Sequence, residues 1–210
     1  MSVGRIITGD ACVAEGAAYL ARTDPAMARA LEAVGPLPLR RRADGFDALL
    51  SAICGQQVSV AAASAIWGRV AAAGMTTPEA VAASDVEELR ALGLSRPKAR
   101  YAIALANAGI DFDALRDRPT DEVVATLTQV PGIGVWTAEI YAMFSLGRAD
   151  VFAPGDLALQ EGARMLYDLP ERPKDRALRE MSARWSPWRS VAARVLWAYY
   201  AHVKSREGIR

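Results

Sequence analysis

Histidine and cysteine are almost missing from this 210-residue chain. It has one histidine, His202, and two cysteines, Cys12 and Cys54. Two cysteines cannot alone ligate an iron–sulfur cluster or a four-cysteine zinc site. One histidine leaves little for a His-rich metal centre or a Ser-His-Asp triad. No apolar run approaches the 18 residues that a membrane helix needs. Met1 to Asp10 has no apolar stretch long enough for a secretory signal. Excess charge of either sign is missing too: 25 Lys and Arg stand against 24 Asp and Glu, net +1. That balance excludes a histone-like polycation and offers no bulk argument for nucleic acid or membrane. The expectation is a cytoplasmic, reduced, soluble protein without a cofactor.

What the chain has is alanine, 42 residues of it, in a composition that is 52% apolar. Such a chain is no candidate for disorder, and alanine favours helix. Gly and Pro fall mostly between candidate helices. Asp24-Pro25 reads as an N-cap followed by Pro at the first helical position, with Gly35-Pro36 ending that helix. Gly45 to Cys54 and Ser59 to Ala73 flank Gly55-Gln56-Gln57-Val58. Ser84 and Glu87 form a candidate capping box. Ser95 and Thr120 are candidate starts of further helices, and Ser186-Pro187 of a last long one. Strand signals are thin. The reading is all-α, with about ten helices. Arg40-Arg41-Arg42 is the expected surface connection between two lobes, read as a solvated loop.

The most informative stretch is Val130-Pro131-Gly132-Ile133-Gly134-Val135-Trp136-Thr137. Helix-forming residues precede it, and an apolar helix, Val135 to Leu146, follows. Two glycines around one apolar residue make a tight turn of bare backbone. The apolar residue can tuck between the two helices. The N–H groups of Gly132, Gly134, Val135 and Thr137 can then face one anion. A DNA phosphate could bind there without any lysine.

This stretch resembles the helix-hairpin-helix of the DNA glycosylase superfamily, and the likeness extends along the chain. Asp150-Val151-Phe152-Ala153-Pro154-Gly155-Asp156 resembles the family's Gly/Pro-rich loop, with Asp156, 20 residues after Trp136, in the place of the essential aspartate. Leu49 to Ser59 resembles the segment that meets the duplex. Gly93-Leu94-Ser95 resembles a second Gly-Leu-Ser turn. Trp185-Ser186-Pro187-Trp188-Arg189-Ser190 resembles the closing helix of the 3-methyladenine DNA glycosylase II branch.

The resemblance implies a two-lobed helical glycosylase fold with its active site in the cleft between the lobes. Lobe one would span about 46–153, lobe two 1–45 plus 154–210, and the helix-hairpin-helix about 120–146. It is expected to be a minimal form without the β-rich N-terminal domain that some members carry. The implied activity is hydrolysis of the N-glycosidic bond of alkylated purines, of the 3-methyladenine and 7-methylguanine type. The base would be flipped from the duplex, leaving an abasic site. Glycosylases for deaminated or mismatched bases, and a non-catalytic DNA-binding module, are the alternatives.

Asp156 would stabilise the oxocarbenium-like sugar and orient water. On residue chemistry alone it also reads as an N-cap. Bifunctional relatives place a nucleophilic lysine at position 136; this chain has Trp136, which implies a monofunctional hydrolase. Trp136, Trp197 and Tyr141 would supply aromatic faces to a cationic base. Ile140 and Leu157 stand where the branch often has aromatics. Trp185 and Trp188 read as core. Gln57 would be the wedge that fills the duplex after flipping. No catalytic metal is implied, and a structural monovalent cation could sit on the hairpin backbone. The partner would be double-stranded DNA with a damaged base, bound by a monomer, with no membrane involved.

The net charge hides an asymmetry. Gln160 to Arg210 holds 11 basic and 6 acidic residues, net +5, and the preceding residues hold 14 and 18, net −4. Arg164, Arg189 and Arg194 in the basic segment are expected to add to the phosphate field.

Overall fold

A computed structural model of the protein describes residues 3–207. Thirteen α-helices and one short 3₁₀ turn make up its regular structure among the described residues, with no strand beyond the isolated antiparallel bridge Ile6–Arg148. None of these helices is long and apolar enough to cross a membrane. The chain divides into two compact units: Arg42–Tyr141, and Val3–Arg41 joined with Ala142 onward. The first division falls inside the three-arginine loop, and the second inside a helix.

The first unit holds α3 (Phe46–Gly55), α4 (Val60–Ala72), α5 (Pro78–Ala82), α6 (Val86–Ala91), α7 (Arg96–Ala106), α8 (Phe112–Leu115), α9 (Thr120–Leu127) and most of α10 (Val135–Phe144). α3 packs on α4 and α7, and α7 also packs on α5 and α6. Leu49, Leu50 and Ile53 recur at helical spacing and are fully buried, as are Ala99 and Ala102 on α7. The capping box of α6 sits one residue later than the sequence suggests. The Asp85 carboxylate accepts from Glu87 N and Glu88 N, and Glu88 accepts from Asp85 N at 2.9 Å. Ser84 is taken by the preceding helix, where its hydroxyl donates to the Val81 carbonyl at 2.8 Å. A carboxylate competes better than a hydroxyl for two helix N–H groups.

The second unit holds α1 (Asp10–Thr23), α2 (Pro25–Val34), the end of α10, α11 (Leu157–Leu166), α12 (Asp175–Ser182), the 3₁₀ turn Ala183–Trp185 and α13 (Arg189–Glu207). α13 packs on α11, α2 and α1. The approach to α11 is so close that a Cβ on Gly162 would lie 2.7 Å from the Leu196 carbonyl oxygen. Only glycine fits there without a backbone shift. Trp185 and Trp188 are buried, as expected of core residues. α13 starts at Arg189, later than Ser186-Pro187. The Ser186 hydroxyl and the Arg189 guanidinium are both drawn to Asp150 instead, at 2.8 and 2.7 Å.

Candidate active site and hairpin

In the first unit, α9 and α10 are joined by residues 128–134. Ile133 is buried, as the turn sequence requires. Gly132 has φ +90°, and a Cβ there would lie 2.3 Å from the Tyr101 ring. Glycine is thus demanded by both the backbone and the space. Gly134 accepts from Ala138 N at 3.0 Å and so stands at the N-cap of α10, with open space where a Cβ would be. The first-turn N–H groups that follow have no acceptor within the helix. Val135 and Trp136 are exposed on that turn, whereas the Thr137 side chain is buried.

The 55–60 loop is tied to this hairpin. The Gln56 amide donates to the Gly132 carbonyl at 2.9 Å. The buried Lys98 ammonium donates to the Cys54 carbonyl at 2.8 Å, closing α3. Burial pushes the Cys54 thiol up to about 11, so it stays protonated and inert. Gln57 is exposed with φ +54°, between Gln56 and the exposed Val58 and Val60. Ser59 caps α4 by accepting from Ala62 N at 3.2 Å. Tyr141 is interior, and its hydroxyl accepts from Gly45 N at 2.9 Å. Burial raises that phenol to about 12.

In the second unit, Asp156 opens α11 at the end of a rigid loop. Val151, Phe152, Ala153 and Pro154 are buried. Arg189 grips Asp150 with Nε to Oδ1 at 2.7 Å and Nη2 to Oδ2 at 3.0 Å. Burial alone would raise the Asp150 carboxyl, but hydrogen bonds from Arg189 and Ser186 hold it below its ordinary value. Gln160 reaches back to the Pro154 carbonyl at 2.8 Å. Asp156 Oδ1 accepts from Ala158 N at 2.9 Å, Leu159 N at 3.0 Å and the Trp197 indole N–H at 3.1 Å. The N-cap reading of this residue and a chemical role for its carboxylate are compatible. Leu157, next in sequence, is exposed.

The three arginines put forward for phosphates are engaged within their own unit. Arg164 pairs with Glu161 at 2.8 Å, and Arg189 holds Asp150. Arg194 is buried and donates to the Ser190 and Leu39 carbonyls, at 2.8 and 2.9 Å. Sequence reasoning missed these internal uses, and it missed the Trp197–Asp156 hydrogen bond. Among the described residues, no group of three or more His, Cys, Asp or Glu could hold a metal ion.

The chain belongs to the HhH-GPD superfamily of base excision DNA repair proteins, whose profile matches residues 50–187. It is 34% identical over 168 residues to DNA-3-methyladenine glycosylase 2 of Escherichia coli, covering 73% of this chain and 57% of that one. It therefore spans little more than half the length of that relative. The 3-methyladenine DNA glycosylase of Schizosaccharomyces pombe, solved in complex with abasic DNA, superposes with TM-score 0.76 at 31% identity. That match covers 87% of this chain and 95% of the other. A DNA-3-methyladenine glycosidase from Bacillus halodurans gives TM-score 0.81 at 33% identity, covering 96% and 94%.

Proposed function

We propose that the protein is a monofunctional DNA glycosylase of base excision repair that hydrolyses the N-glycosidic bond of alkylated purines in duplex DNA. The observation that carries this is the Asp156 carboxylate, fixed at the start of α11 with Oδ1 held by three N–H donors. A carboxylate so held cannot swing, and it meets the sugar in one fixed orientation. As the bond to the base breaks, its electron pair leaves with the base. A 3-methyladenine or 7-methylguanine carries a formal positive charge in DNA and departs neutral. The deoxyribose gains cationic character, which a fixed carboxylate stabilises. Water adds at the sugar carbon and gives its proton to the carboxylate or to solvent. Neither a metal nor a cofactor is called for.

The hairpin of Gly132, Gly134, Val135 and Thr137 offers backbone N–H groups to a DNA phosphate. The exposed Gln57 is the wedge, presented on a loop that Gln56 braces against the hairpin. The exposed Trp136 indole offers an electron-rich face to a cationic base. Tyr141 serves as an internal brace through its bond to Gly45. The protein acts as a monomer on its DNA.

Incubation with methylated duplex DNA should release free 3-methyladenine and 7-methylguanine. No release from methylated duplex, with release from duplexes that carry uracil or hypoxanthine, would move the substrate class to deaminated bases. With tryptophan at position 136, borohydride should trap no covalent adduct. A strong adduct would contradict the hydrolytic reading and point to an overlooked lysine.

A further inference from the structure

We infer that Trp197 is a positioning residue, whose indole N–H sets the rotamer of the Asp156 carboxylate. The inference rests on the reading of Asp156 as the catalytic carboxylate. The two backbone donors to Asp156, Ala158 N and Leu159 N, fix one oxygen only loosely about the Cα–Cβ bond, as any N-cap does. Trp197 Nε1, at 3.1 Å from that same Oδ1, comes from another helix and adds a third direction. Three donors converging on Oδ1 leave the carboxylate plane little freedom.

The indole is itself held. Its ring lies against Phe144, with centroids 5.7 Å apart and planes at 30°. The Arg194 guanidinium covers Phe144 at 4.8 Å from the ring centroid. Arg194 is fixed in turn by the Ser190 carbonyl and hydroxyl, at 2.8 and 3.0 Å, and by the Leu39 carbonyl at 2.9 Å. Burial lowers this guanidinium to about 10, which still leaves it charged at neutral pH. The stack Arg194–Phe144–Trp197 thus delivers one N–H to one carboxylate oxygen. All four residues lie in the second unit. If the indole served only as an aromatic face, its N–H would be incidental.

Trp197→Phe separates the two roles, because it keeps a ring and removes the donor. In single-turnover release from methylated duplex DNA, Trp197→Phe should lose about tenfold or more in rate, the scale of a lost hydrogen bond to a charged group. Its Kd for abasic DNA should stay within twofold of the parent. The fold-loss should be equal for 3-methyladenine and 7-methylguanine, because the carboxylate serves both. Phe144→Leu, which loosens the platform and keeps the donor, should show a smaller loss of the same kind. If the parent releases base and Trp197→Phe matches its rate, the inference fails while the glycosylase reading stands. A rate loss that comes with equally weakened DNA binding, or that falls on one lesion only, also overturns it in favour of a stacking role. A parent that releases no base removes the reading of Asp156 and this inference together.

Discussion

Asp24 and Asp156 show one local device used in two ways. Each is an N-cap whose Oδ1 takes two backbone N–H groups, and each also accepts from an indole, of Trp185 and Trp197 respectively. Asp24 is buried, and its Oδ2 accepts the Tyr167 hydroxyl at 2.6 Å. Burial pushes the Asp24 carboxyl up, but bonds from Tyr167, Met27, Trp185 and Ala26 outweigh it and hold the group below its ordinary value. Burial, then the hydrogen bond to Asp24 and that carboxylate's negative charge, raise the Tyr167 phenol. A carboxylate depressed in the folded state stabilises the fold above its unfolded value, and that gain is lost as pH falls through the folded one. Asp24→Asn should therefore cost about 1–3 kcal/mol at pH 7, the range for a disrupted buried hydrogen-bonded charge. The gap to the parent should close as pH drops below about 4. Denaturant melts across pH 2–7 measure it, and a gap independent of pH would contradict the assignment.

The hairpin between α9 and α10 contains two glycines with different tasks. At Gly132 a side chain would need a strained φ and would strike the Tyr101 ring, so Gly132→Ala should lower stability by roughly 1–3 kcal/mol. At Gly134 a side chain meets nothing, so Gly134→Ala should cost only the N-cap preference of Gly over Ala, about 1 kcal/mol or less. In the proposed reading, the added methyl would stand where a phosphate approaches the first turn of α10. Gly134→Ala should therefore weaken DNA binding severalfold in a fluorescence-anisotropy titration. Parent-like binding would remove the hairpin as the phosphate site.

Elements of this kind are legible in sequence because turn glycines, caps and Pro at the first helical position are local. The α2 start at Asp24-Pro25 and the buried Ile133 follow from neighbours a few residues away. Adjacent rivals are harder to separate: Ser84 and Asp85 both suit an N-cap, and the carboxylate takes it. The resemblance puts Tyr141 among the pocket aromatics, and its hydrogen bond to Gly45, 96 residues away, has no local signal in the sequence. Trp197 and Asp156 are 41 residues apart, and no periodicity within either helix encodes their bond.

At the scale of the whole chain, the net charge of +1 limits how DNA can be held. The basic C-terminal segment contributes less than its count implies, since Arg164, Arg189 and Arg194 are spent on Glu161, Asp150 and backbone carbonyls. In the proposed reading, backbone N–H groups of the hairpin carry a larger share. Contact with about three or four phosphates corresponds to a slope of roughly −3 to −4 in log K against log salt. A slope near −8 would demand an extended arginine field and contradict this picture.

The central claim is that Asp156 performs the chemistry and is not needed merely to hold DNA. Asp156→Asn keeps an oxygen that can accept from Ala158, Leu159 and Trp197, so the variant should fold and bind duplex DNA like the parent. Release of 3-methyladenine from methylated duplex should fall by about 10²–10³ or more, the scale for removing an electrostatic stabiliser of the transition state. Parent-like release by Asp156→Asn, with DNA binding intact, would contradict the account.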